Sequence, residues 1–160
     1  MNTASIIAIV GVVLATIAVL LAKKRVVIAD TPFCDVSQIP AVFERLRKEG
    51  KDASFAVFMF QPPHQPRADD AINIQFSIEG GRIGLDWCLI GPSNIRDKER
   101  LERFVTSHGY KIRAREMNQV KYLRIEEGNL PQLCQKIICD LYEKKPETKL
   151  DMVVEGFSWP

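Results

Sequence analysis

Residues 72–87 read INIQFSIEGGRIGLDW: an apolar–polar alternation, two glycines, and the same alternation again. A period of two marks strands with unlike faces, and paired glycines accept the positive φ of a two-residue turn. With Gly80-Gly81 as the turn, Glu79 lies opposite Arg82, Ile78 opposite Ile83, Phe76 opposite Leu85, Ile74 opposite Trp87 and Ile72 opposite Leu89. Beyond the charged pair beside the turn, every facing pair is apolar, as a correct register requires. The second face carries Asn73, Gln75, Ser77, Gly84, Asp86 and Cys88, polar but almost uncharged. A sheet face with no lysine or arginine in its middle is a candidate binding surface.

Upstream, ASFAVFMF (53–60) is a continuous apolar run of strand length, which predicts a strand covered on both faces or meeting a partner with one. The proline-rich QPPHQPRADD (61–70) is a loop. Before them, SQIPAVFERLRKEGK (37–51) predicts a helix with Ser37 as N-cap, Pro40 in its first turn and Gly50 as its stop. Its buried stripe is Ile39, Val42, Phe43 and Leu46.

Downstream, GPSN (91–94) breaks the hairpin, and Ser93 or Asn94 caps a helix running to about His108. Ile95, Leu101, Phe104 and Val105 supply its buried stripe. Tyr110–Arg115 and Val120–Glu126 form a second hairpin around MNQ (117–119). Ile112, Ala114, Leu123 and Ile125 are its expected inner residues, and Arg113, Arg115, Lys121 and Arg124 leave its other side basic. A final helix starts at Asn129, with Leu130, Leu133, Cys134, Ile137, Ile138 and Leu141 on one face. LDMVVEGFSW (150–159) is a candidate last strand. The order helix-strand-strand-strand-helix-strand-strand-helix predicts an α+β fold, an antiparallel sheet packed against helices.

One transmembrane helix is expected before this domain. Ser5–Ala22 carries no charge, and about 20 apolar residues span a bilayer core. The basic cluster Lys23, Lys24 and Arg25 follows the apolar run rather than preceding it, unlike a signal peptide. The expected division is an N-terminal membrane anchor with basic flank over 1–25, a linker over 26–35 and the α+β domain over 36–160. Basic flanks stay on the cytoplasmic side, which predicts a single-pass protein of the cell (inner) membrane, N-terminus outside and domain cytoplasmic. Beyond Arg25, 19 basic residues stand against all 20 acidic ones. A domain so close to neutral lacks the basic field that nucleic-acid binding needs.

Cys34, Cys88, Cys134 and Cys139 lack the spacing of a zinc or redox motif. Cys134 and Cys139, five apart on a helix, point about 140° away from one another, so free thiols are expected. His64 and His108 do not make a metal site between them. Nucleophile elbows, HExxH, phosphate-binding glycine loops and EF-hand loops are absent. The acidic pairs Asp69-Asp70 and Glu126-Glu127 sit in loop contexts that suit solvation. The sequence therefore predicts no enzyme, no cofactor and no metal.

In the order and size of its elements the chain resembles the type III secretion chaperone-like superfamily. Within it, it is similar to the YbjN-like peptide-binding chaperone domains (TY-Chap), over roughly Val36–Trp159. The resemblance rests on the element order, the glycine hairpin, the capped helix after the third strand and the terminal VEGFSW. It implies association with an extended protein or peptide segment, frequent homodimers, and no catalytic residue to transfer. The anchor departs from the soluble secretion chaperones. The expected function is thus a membrane-anchored, chaperone-like, peptide-binding domain acting on the sheet's free face or an exposed edge. Candidate contacts are Phe55, Val57 and Met59, or the alternate residues of that strand, with Asn73, Gln75, Ser77 and Asp86 beside them. A structural or assembly subunit of a membrane complex and a small hydrolase or ligand-binding domain are the alternatives.

Overall fold

The computed structural model describes residues 32–63 and 71–160 of the chain. Seven strands form one antiparallel sheet: β1 (Phe33–Asp35), β2 (Phe55–Phe60), β3 (Ile72–Glu79), β4 (Arg82–Cys88), β5 (Arg113–Met117), β6 (Val120–Ile125) and β7 (Lys149–Glu155). Their order across the sheet is β1-β7-β2-β3-β4-β6-β5. Four helices accompany it: α1 (Ile39–Glu49), α2 (Pro92–Arg96), α3 (Lys98–Ser107) and α4 (Leu130–Lys136), the last continued by a wider π turn over Ile137–Leu141.

The β3–β4 hairpin has the register that alternation dictates, with Ile78 opposite Ile83, Phe76 opposite Leu85 and Gln75 opposite Asp86. Gly80 and Gly81 both take positive φ, 57° and 75°. That is the type I′ turn whose twist matches the strands it joins. The β5–β6 hairpin closes on Asn118 and Gln119, also at positive φ, 50° and 69°, so its turn has two residues rather than three.

The helices share one sheet face. Ile74, Phe76, Leu85, Trp87 and Leu123 meet Val42 and Leu46 of α1, Leu101 and Val105 of α3, and Leu133, Ile137 and Ile138 at the chain's last helix, all in one buried cluster. The α4 stripe was complete in the sequence: all six of its apolar positions are buried. Asn129 caps it, its side-chain oxygen accepting from the Gln132 amide at 3.2 Å.

Several expectations are corrected. The helix foreseen from Ser93 to His108 breaks at Asp97 into α2 and α3. Its start is Gly91, at a φ of 81° that favours glycine. Asn94 instead reaches the sheet: β4 stops at Cys88, and the Asn94 side chain accepts from the Asn73 amide (3.1 Å) and donates to the Asn73 carbonyl (2.8 Å), as a neighbouring strand would. That orientation turns Ile95 outward, where it is 57% exposed. Ala114 is exposed as well, because β5 lies beyond the helices. The last three residues of the expected linker form β1, and the C-terminal strand β7 inserts between β1 and β2.

The transmembrane helix is corrected too. No helix of the described residues is long and apolar enough to cross a membrane. The longest regular α-helix among the described residues, α1, has 11 residues, a rise of about 16 Å against the ~30 Å of a bilayer core. Residues 1–25, which carry the expected anchor, lie outside the described residues, as do His64, Asp69 and Asp70 of the proline-rich loop. The anchor, its orientation and the membrane and cytoplasmic placements that depended on it are withdrawn.

Candidate functional site

The seven residues singled out from the sequence come together. Phe55 pairs with Ser77, Val57 with Gln75, Met59 with Asn73 and Gln75 with Asp86, which sets all seven on the sheet face away from the helices. No described helix contributes to the two apolar clusters of this face, Phe55-Val57-Met59-Val153 and Cys88-Tyr122 with Ile90, Met117 and Val120. The singled-out residues are nevertheless mostly buried. Only Met59 is half-buried, and none of the other six is more than 8% exposed.

A buried ionic network fills its centre. β4 pairs with β6 so that Asp86 faces Arg124, and Arg124 Nη1 donates to both Asp86 oxygens at 2.8 and 2.9 Å. Gln75 and Ser77 also donate to Asp86 Oδ2. The other Arg124 nitrogens reach the Arg82 carbonyl (3.1 Å) and Glu126 Oε1 (2.8 Å). The guanidinium lies directly over Gly84, where an added Cβ would stand 2.3 Å from its central carbon. A glycine is required there for space, not for φ. Burial pushes the Asp86 carboxyl up to about 6, against the pull of Arg124 and the Ser77 hydroxyl. The Arg124 hydrogen bond holds Glu126 below the usual carboxylate range.

The sequence reading makes Arg124 one of four residues on the basic side of the second hairpin, with Arg113, Arg115 and Lys121, and does not assign its burial. Alternation assigned its face correctly, but only the β4–β6 pairing shows that it is 1% exposed and paired with Asp86. The signal in the sequence was a glycine and an aspartate two apart on one face, room and charge for a large cation.

The sheet's two edges differ in what their backbones offer. In β5, the pairs Arg113–Arg124, Arg115–Tyr122 and Met117–Val120 flank the two-residue turn. In such a hairpin these are the hydrogen-bonded pairs, so the N–H and C=O of Ala114 and Glu116 point away from β6. The Leu89 amide bonding the Lys121 carbonyl at 2.8 Å fixes the same phase from the β4 side. β5 pairs with β6 alone, and among the described residues nothing bonds those outward groups. At β1, Met152 N–H bonds the Pro32 carbonyl, which turns Phe33 and Asp35 outward. There the Trp159 indole donates to the Phe33 carbonyl (3.2 Å), and the Asp35 amide donates to Gln38 Oε1 (2.8 Å). The chain's last residues seal the edge further, Arg45 donating to the Ser158 carbonyl at 3.1 Å.

A serine–histidine contact among the described residues serves a helix end. Ser107 Oγ lies 3.4 Å from His108 Nδ1, yet both atoms hydrogen-bond the Phe104 carbonyl at 2.8 Å and so close the exposed last turn of α3. The thiols of Cys34, Cys88 and Cys134 are free and buried, and burial pushes Cys34 up to about 12, far from a reactive thiolate. Among the described residues no group of histidine, cysteine or carboxylates could hold a metal ion.

Comparison with family models, with curated proteins and with solved structures returned no match.

Proposed function

We propose that this protein binds an extended segment of another polypeptide by strand addition at β5, acting by association rather than catalysis. The supporting observation is the five-residue edge whose outward amides and carbonyls at Ala114 and Glu116 have no partner among the described residues, while the opposite edge is capped. An added strand gains affinity from main-chain hydrogen bonds at such an edge and specificity from the side chains that alternate beside it. A buried network backs the edge: the Asp86–Arg124 pair joins β4 to β6, and Arg124 holds Glu126 at the border of β5.

Peptide selection on the full chain tests this. Decapeptides selected by the native protein from a random library should lose at least about tenfold in affinity to Ala114→Pro, which removes one outward N–H without touching the β5–β6 ladder. Circular dichroism verifies that the variant is folded. Selected peptides that bind Ala114→Pro as well as the native chain would place binding elsewhere.

A further inference from the structure

We infer, on the strand-addition reading, that the β5 edge selects a segment with carboxylates at alternate positions and rejects a second copy of itself. Arg113 and Arg115 project on the same face of β5, beside Arg124 and Tyr122 of β6. Their side chains are 61% and 43% exposed, and among the described residues each reaches a carboxylate only at Glu126, at 3.9 and 3.5 Å. Glu126 is already committed to Arg124 Nε at 2.8 Å. Neither exposed guanidinium makes a hydrogen bond among the described residues, so two five-donor forks stand beside an open edge with one shared counter-ion.

The phase of the edge decides what faces them. An incoming strand hydrogen-bonds Ala114 and Glu116, so Arg113 and Arg115 fall at non-hydrogen-bonded positions, where facing Cα atoms approach to about 4.5 Å and side chains are nearest. Opposite charges there stabilise and like charges destabilise. Carboxylates two residues apart on the segment meet both arginines. A further apolar residue opposite Met117 extends the cluster of Met117, Val120, Tyr122 and Cys88.

A second β5 fails the same test. Two-fold pairing can join Ala114 to Glu116 of the copy, Ala114 to Ala114, or Glu116 to Glu116. The first sets Arg115 against Arg115, the second sets Arg113 against Arg115 twice, and the third sets two Glu116 carboxylates face to face. Charged edge residues that oppose their own kind are a recognised guard against edge-to-edge association.

Fluorescence anisotropy with the full chain tests the selection, using labelled decapeptides of alternating Glu and Thr and of alternating Lys and Thr. The acidic peptide should bind at least about tenfold tighter. Arg113→Glu/Arg115→Glu should reverse the order, and the milder Arg113→Gln/Arg115→Gln should level it. Equal affinities, both lost in Ala114→Pro, would leave strand addition standing and overturn acidic selection, as would preference for the lysine peptide. Binding unaffected by Ala114→Pro, or no binding of either peptide, would overturn strand addition itself.

Discussion

The two edges of this sheet are built from opposite materials. β1 has three residues, is covered on its ring side by Lys149 at 4.4 Å from the Phe33 centroid, and has its outward backbone engaged by Trp159 and Gln38. β5 has five residues, all but Met117 exposed, and its outward backbone at Ala114 and Glu116 is unused among the described residues. Unpaired strand edges invite association, and natural sheets blunt them when nothing is meant to bind. One edge here is blunted by three separate devices; the other carries only charge. The difference teaches that the two ends of one sheet are finished differently, and the strand-addition proposal rests on the end left open.

The contrast can be broken most severely from the inside. Arg124→Met leaves Asp86 buried without its counter-ion and frees Glu126, and it should cost about 3–5 kcal/mol in urea unfolding. Asp86→Leu/Arg124→Met, which removes both charges, should recover most of that loss. A single variant as stable as the native chain would show that the network does not support β5.

The next effect is a pH dependence with an unusual sign. The Asp86 carboxyl sits at about 6 in the fold against 3.8 when unfolded, so the folded chain holds the extra proton. Its stabilisation is full below pH 4 and is lost as pH rises through 6. Relative to Asp86→Asn, the native chain should therefore lose about 2 kcal/mol between pH 4 and 6.5. A difference that grows with pH would mean that attraction to Arg124 outweighs burial.

Opening the sealed edge is a smaller change. Trp159→Ala removes the indole that bonds Phe33 and its stacking under Arg45, 6.0 Å from the ring centroid. It should cost about 1–2 kcal/mol and increase self-association through β1 in sedimentation, relative to the native chain. Smallest of all, Glu116→Gln at the open edge should leave stability within about 0.5 kcal/mol of native, since its exposed side chain makes no hydrogen bond or ion pair among the described residues.

Local features of this fold were legible in the sequence, and its long-range pairings were not. The β3–β4 register followed from alternation and two glycines, and the α4 stripe from its spacing, because both are fixed by neighbours in the chain. The insertion of β7 between β1 and β2, and the β4–β6 pairing that brings Arg124 to Asp86, join segments whose periodicities say nothing of one another. For the same reason the parity of the first strand stayed open in the sequence, and it is the β2–β3 pairing that sets Phe55, Val57 and Met59 on one face with Asn73, Gln75, Ser77 and Asp86, where most of them are buried. Alternation gives the face, not how deeply its residues are buried. The terminal tryptophan illustrates the limit: its role as an edge seal exists only once β1, an unrecognised strand, is in place.

Residue-resolved amide hydrogen exchange along both edges tests the account most directly. In the free chain Ala114 and Glu116 should exchange rapidly and Asp35 slowly. With the alternating Glu–Thr peptide bound, Ala114 and Glu116 should become protected while Asp35 stays as it was. Slow exchange at Ala114 and Glu116 without peptide, or no change on binding, would contradict an open β5 edge that takes a strand.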